Sequence, residues 1–97
     1  MQIKLSVNLK RQNIGMGLFL EKEIELDFLP DVGEEIKDNE LGFTVEDRTF
    51  YLDGYVSLSL EQVFDIVEDI DEKDVLKRMK ESGWDYRGDS NIDRLKL

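Results

Sequence analysis

The feature that most constrains this chain is the spacing of its apolar residues, which alternate with polar ones through much of the first sixty positions. In residues 3–9, IKLSVNL, every second residue is apolar. Alternation of period two is typical of a strand with one buried face. It returns in residues 18–28, where acids separate the apolar residues and only Lys22 interrupts the pattern. We therefore expect two strands paired as a hairpin, with Lys22 at a bulge or a strand end. The inward set of the second strand would be Leu18, Leu20, Ile24, Leu26 and Phe28.

Turn-forming residues divide the rest of this β-rich part. Pro30 and Gly33 are expected to end the second strand, and residues 37–42 are expected to form another turn. Asp53 and Gly54 lie between two β-prone runs and predict a tight hairpin turn with positive φ values. The pattern indicates an antiparallel sheet of four or five strands, curled or barrel-like.

After Ser59 the apolar period changes from two to 3.6, which predicts an amphipathic helix. Residues 59–62 fit a capping box, in which the Ser59 hydroxyl and the Gln62 side chain would bond free backbone amides. The apolar stripe of this helix would be Val63, Ile66, Val67 and Ile70.

A second helix is predicted because the next apolar residues fall on the wrong side of the first. Val75, Leu76 and Met79 would lie almost opposite that stripe on one continuous helix, so we expect a break near Ile70. Asp71 would cap the second helix, and Gly83 would end it in a left-handed conformation, with Trp84 packing back on Met79.

These patterns predict an α+β fold in a single domain, residues 1–97. The antiparallel sheet would occupy residues 1–60. Two C-terminal helices would lie within residues 61–84 and pack on the sheet, and a polar tail would follow over residues 85–97.

The chain has no cysteine and no histidine, which excludes structural zinc sites, disulfides, cysteine nucleophiles and histidine bases. We expect a protein that is not an enzyme and holds no metal or cofactor. The stretch DIDEKD, residues 69–74, superficially resembles half of a calcium-binding EF-hand loop. Lysine stands at its third ligand position and Asp74 replaces the required glycine, so we interpret its acids as helix-capping groups.

The net charge of −10 is unevenly distributed, because residues 21–75 hold 19 acids and 4 bases. Such a chain is repelled by nucleic-acid phosphates and anionic lipid, and its electrostatic partners are basic proteins. No apolar run approaches the roughly 20 residues of a membrane span. We expect a cytoplasmic protein that binds neither nucleic acid nor membrane.

One resemblance covers residues 24–61. LPDVGEEI, FTVEDRTF, the Asp53-Gly54 turn and YVSLSLE resemble the strand-and-turn pattern of small SH3-like β-barrel proteins, many of them from bacteria and phages and without an assigned function. The resemblance implies a barrel-like sheet and no particular functional residue.

Two functional hypotheses follow. The first is a small acidic protein-interaction or regulatory module, which a phage or another mobile element could encode, that binds a basic protein surface. The second is a structural or oligomer-forming protein whose acids only keep it soluble; the oligomeric state stays open. Under the first hypothesis the partner-facing residues would be Glu61, Asp65, Glu68 and Asp69, aided by Asp71, Glu72 and Asp74.

Overall fold

A computed structural model describes residues 1–10, 16–64 and 69–91 of the chain, and in these ranges it contains six strands and one helix. The strands form one sheet in the order β3-β4-β5-β1-β2-β6, in which β1 and β5 are parallel and the other neighbours are antiparallel. None of the described residues belongs to a helix with the length and apolarity of a membrane span. The elements are β1 (Gln2–Lys10), β2 (Met16–Glu25), β3 (Glu35–Asp38), β4 (Leu41–Phe50), β5 (Val56–Gln62), α1 (Asp69–Glu81) and β6 (Asp85–Asn91).

The alternating pattern places the core on one face of the sheet, which we call the covered face. The predicted hairpin of β1 and β2 is confirmed. Of the predicted inward set, Phe28 is exposed and Ile24 and Leu26 are only half-buried, whereas Leu18 and Leu20 are buried in the core. Val75 and Met79 of α1 join them, together with Trp84. The buried strand residues are Ile3, Leu5, Val7, Leu9, Leu18, Leu20, Phe43, Val45, Val56, Leu58 and Leu60. The opposite face, which we call the open face, carries polar side chains such as Lys4, Ser57 and Ser59.

The prediction for Lys22 was wrong. The pairing of β1 with β2 runs without a break through Lys22, which is opposite Leu5 and shares the covered face with Leu20. Its ammonium group lies 2.7 Å from a carboxylate oxygen of Asp38 in β3. The lysine is tolerated on an apolar face because it reaches this carboxylate.

The same contact shows that the sheet is strongly curled. Three strands separate β2 from β3 in the sheet order, so a flat sheet would hold them about 19 Å apart. Only a curled sheet brings Lys22 of β2 against Asp38 of β3. The sheet is nevertheless not closed, because β3 and β6 form its two edges and do not pair with each other.

The predicted pair of C-terminal helices was wrong. Residues 56–62, where the first helix was expected to start, form β5, which pairs with β1 and β4. Ser59 is therefore a strand residue and not a helix cap, because pairing on both sides outweighed the local capping pattern. Val63 continues this pairing, since its N–H donates to the Gly42 carbonyl, and its side chain is exposed. Ile66 and Val67 lie outside the described residues.

The expected break near Ile70 is also absent, because α1 runs without interruption from Asp69 to Glu81. Asp71 lies in its first turn and does not cap a separate helix. The predicted end of this helix is confirmed. Gly83 has a φ of 94°, its N–H donates to the Lys80 carbonyl, and the Trp84 N–H donates to the Met79 carbonyl, which is the hydrogen-bond pattern of a Schellman motif.

The predicted polar tail was wrong for residues 85–91, which form β6 along β2. Backbone groups make the ladder of an edge strand, so strand pairing needs few apolar side chains there. Gly88, with a φ of 120°, lies beside an irregularity in this pairing at Phe19 and Leu20. The sheet thus has six strands and is mixed, whereas four or five antiparallel strands were expected.

The hairpins at the two ends of β4 use different turns. The predicted turn at residues 37–42 is confirmed, and Asn39 and Glu40 both have positive φ, at 50° and 68°, as a type I′ turn requires. The β4–β5 hairpin is also confirmed, but Gly54 has a positive φ there and Asp53 does not. The Gly54 N–H donates to the Tyr51 carbonyl and the Tyr51 N–H to the Tyr55 carbonyl. The loop is therefore longer than the tight two-residue turn that was predicted.

Candidate protein interface

The structure does not assemble the predicted acidic residues on one helix face. Glu61 is exposed at the end of β5, and Asp65 and Glu68 lie outside the described residues. Asp69 and Asp71 belong to the first turn of α1. The described acids of this set thus lie on a strand and on α1, whereas Glu61 was predicted to share a helix with Asp65, Glu68 and Asp69.

The remaining two acids of the predicted set lie further along α1. Glu72 is half-buried, and Asp74 is exposed. The Asp74 carboxylate forms an ion pair with the Arg78 guanidinium, one helical turn later, at 3.1 Å. Because a cation of the same helix already neutralises Asp74, this carboxylate is a weaker candidate for a basic partner.

A different surface stands out at the end of the sheet where β4 meets β5. Five large apolar side chains are exposed on the β4–β5 hairpin and on the loop between β2 and β3. Phe28 is 67% exposed and Phe50 is 64% exposed, and Leu52 at the tip of the hairpin is fully exposed. Single exposed apolar residues are ordinary, whereas a group of them marks an interaction site. We call this group, Phe28, Val32, Phe50, Tyr51 and Leu52, the hairpin–loop surface.

Arg48 holds the loop against the hairpin. Its guanidinium donates to the Pro30 carbonyl at 3.3 Å and to the Asp31 carboxylate at 3.0 Å. The same guanidinium lies 5.8 Å from the centre of the Phe50 ring, within the range of a cation–π contact. One arginine therefore joins the loop that carries Phe28 and Val32 to the strand that carries Phe50.

Backbone hydrogen bonds hold the loop beside β4 as well. The Gly33 N–H donates to the Val45 carbonyl at 2.8 Å, and the Val45 N–H donates to the Glu34 carbonyl at 2.9 Å. The loop closes on itself, since the Asp31 N–H donates to the Glu34 side chain. These bonds place Val32 at the exposed bend of a fixed loop.

The tip of the hairpin is held by two aromatic rings. Tyr51 and Tyr55 stack with ring centres 4.4 Å apart and planes only 10° apart. With the backbone bonds between these two residues, the stack fixes the turn that directs Leu52 into solvent. The exposed apolar side chains of the hairpin are therefore presented by an ordered turn.

The segments that carry these apolar side chains are acidic. Residues 27–34 and 46–55 together contain six acids and one base, a net charge of −5. The base is Arg48, which pairs with Asp31. Among the described residues no cation pairs with any of the other five acids. All six are exposed: Asp27, Asp31, Glu34, Glu46, Asp47 and Asp53.

The sequence held only a partial signal of this surface. These acids belong to the acidic segment 21–75, but Phe28 was predicted to face inward because it continues the alternation of β2. The strand ends at Glu25, so the alternation no longer determines on which side Phe28 lies. The sequence did contain one hint that Phe28 lies outside the strand, because it is only two residues before Pro30, which cannot donate to a strand ladder.

A second charged cluster lies on the open face, where Glu21 is bound by two cations. Its carboxylate is 2.8 Å from Lys4 and 3.2 Å from Arg87, and Arg87 also approaches Asp85. The hydrogen bond and charge of Glu21 raise the pKa of Lys4 above its ordinary value. The cluster borders a depression of about 390 Å³ that contains both signs of charge. Because its cations and acids neutralise one another, this cluster favours neither an anionic nor a cationic ligand.

No protein family, curated protein or solved structure matches this chain. The resemblance of residues 24–61 to SH3-like barrels therefore stays a prediction.

Proposed function

We propose that the protein is a small acidic interaction module that binds a basic protein surface. The observation that supports this function is the charge of the two segments 27–34 and 46–55, whose exposed acids outnumber their single base. Elsewhere in the described residues, cations such as Lys4, Lys22 and Arg87 are held by acids of the protein itself. The two segments thus carry −5 of the chain's net charge of −10.

Electrostatic attraction of this kind raises the rate of association and selects the sign of the partner. Exposed charges are screened within about 10 Å at 0.1 M salt. Binding to a basic protein should therefore weaken as the salt concentration rises, chiefly through slower association.

The test begins with capture of partners at low salt from cells that naturally produce the protein, followed by identification of each one. Each purified partner is then titrated against the protein at several sodium chloride concentrations. We expect a basic partner whose dissociation constant rises with salt. Partners that are acidic, or whose affinity does not depend on salt, would contradict the proposal. Absence of any partner would favour the alternative in which the acids only keep the protein soluble.

A further inference from the structure

We propose that the hairpin–loop surface is the docking site for the basic partner, and that it receives an amphipathic segment in which apolar side chains are flanked by lysine or arginine. This inference rests on the proposed function and adds to it a location and a chemistry of recognition. The surface combines the two features that such a segment needs, exposed apolar groups and acids such as Asp27 and Asp53 that pair with no cation among the described residues.

The apolar part of the site is the fully exposed Leu52 with Phe50 and Phe28. Interfaces derive most of their affinity from a few large side chains that become fully desolvated, with the surrounding contacts excluding water. Two exposed phenylalanines and an exposed leucine at one end of the sheet are side chains of this kind. Their counterpart on the partner must be apolar as well.

The charged part of the site adjoins these anchors in the chain. Asp53 directly follows Leu52 in the hairpin, and Asp27 directly precedes Phe28. Both carboxylates are exposed, so a lysine or arginine can reach them at the rim without being buried. Such a rim steers the encounter and fixes the sign of the partner.

Local contacts also hold the site in a fixed conformation. Arg48 joins the loop to the hairpin, and the stack of Tyr51 on Tyr55 holds the turn. Little conformational entropy is lost when a partner docks on a surface that is already ordered. The arrangement therefore suits recognition by a preformed surface.

The charge of this surface argues against a second copy of the chain as the occupant. Two copies meeting here would bring together two segments of net charge −5 each, on molecules of net charge −10. Like charges in contact across an interface oppose association. The acids repel the phosphates of a nucleic acid in the same way. A cationic, partly apolar protein segment is the occupant that both features favour.

The experiment compares three double variants with the wild type, each titrated against the purified basic partner. The apolar variant is Phe28→Ser with Leu52→Ser, and the charge variant is Asp27→Lys with Asp53→Lys. The matched control is Glu61→Lys with Val63→Ser, which changes one exposed acid and one exposed apolar residue at the other end of β5. Thermal unfolding of each variant verifies that it folds.

We expect the apolar variant to weaken binding about tenfold or more, mainly through faster dissociation. The charge variant should slow association and reduce the dependence on salt, and the control should bind like the wild type. If the control loses affinity and the other two variants keep it, the docking site is elsewhere although the proposed function stands. If the wild type has no basic partner, both proposals fail.

Sedimentation of the free proteins tests whether a second copy of the chain occupies this surface instead. The wild type and all variants are expected to be monomeric at the concentrations used for titration. A wild-type dimer that the apolar variant converts to a monomer would show that the surface binds a second copy, and this would overturn the inference.

Discussion

Strand β4 carries a phenylalanine near each of its ends, and one of the two is buried whereas the other is exposed. Phe43, near the start, is completely buried, with its ring 5.7 Å from Phe64 and 5.8 Å from Trp84. Phe50, at the other end, is 64% exposed, and the Arg48 guanidinium lies 5.8 Å from the centre of its ring. The difference arises because Trp84 and Phe64 reach Phe43 and the described structure brings no comparable side chain over Phe50. One end of the strand stabilises the fold, and the other is available for binding.

The ion pairs and turns at these two ends differ in the same way. Near the start of β4, Asp38 accepts from Lys22 at 2.7 Å and from the indole N–H of Trp84 at 2.9 Å, and its carboxylate is largely shielded. Near the other end, the Asp31 carboxylate that pairs with Arg48 is 73% exposed. Three pairs of stability measurements test whether the two ends differ in this way.

The largest effect is expected from the two phenylalanines. Phe43→Ala should lower the free energy of unfolding by about 3–5 kcal/mol, because it leaves a cavity beside Trp84 and Phe64. Phe50→Ala should cost about 0.5 kcal/mol, as is usual for an exposed side chain. Urea denaturation of both variants measures the difference. Equal losses would mean that Phe50 is covered in solution, and the contrast between the two ends would be lost.

An intermediate effect is expected from the two aspartates. Asp38→Ala should lower the free energy of unfolding by about 1–3 kcal/mol, since it leaves the Lys22 ammonium and the Trp84 indole N–H without their acceptor in a shielded site. Asp31→Ala should cost about 0–1 kcal/mol, because its ion pair is exposed. Denaturation curves followed by tryptophan fluorescence report both values. A smaller loss for Asp38→Ala than for Asp31→Ala would contradict the assignment of the shielded pair.

The smallest effect is expected at the two turns. Glu40→Gly should raise the free energy of unfolding by about 1 kcal/mol, because Glu40 has a positive φ that glycine adopts without the steric cost of a side chain. The ion pair that it gives up, with Arg78 at 3.9 Å, is exposed and contributes little. Asp53→Gly, where φ is not positive, should give no gain. The melting temperatures of the two variants test this, and a gain at Asp53 alone would reverse the assignment of the turns.

Of the candidate interface, only the negative charge was predicted from the sequence. The concentration of acids in residues 21–75 was evident in the sequence, and it favoured a basic partner. The prediction that Glu61 lies on a helix was wrong, because it belongs to β5, and Asp74, one of the acids expected to aid it, is paired with Arg78. The apolar half of the site was missed, since its exposure depends on where β2 ends and on what covers β4. What covers β4 is not determined by the residues close to Phe50 in the chain.

The uninterrupted alternation in β1 and β5 was enough to predict which of their side chains share a face, and turn residues located the end of α1 at Gly83 and the hairpin at Gly54. These features follow from short-range sterics and the two-residue period of a strand. Three other features were settled by tertiary contacts: β1 and β5 pair in parallel, the polar residues 85–91 complete the sheet, and Lys22 faces inward to reach Asp38. Such outcomes depend on groups that are distant in the chain, because any strand edge can satisfy the backbone of another and a charge can be buried wherever an opposite charge meets it.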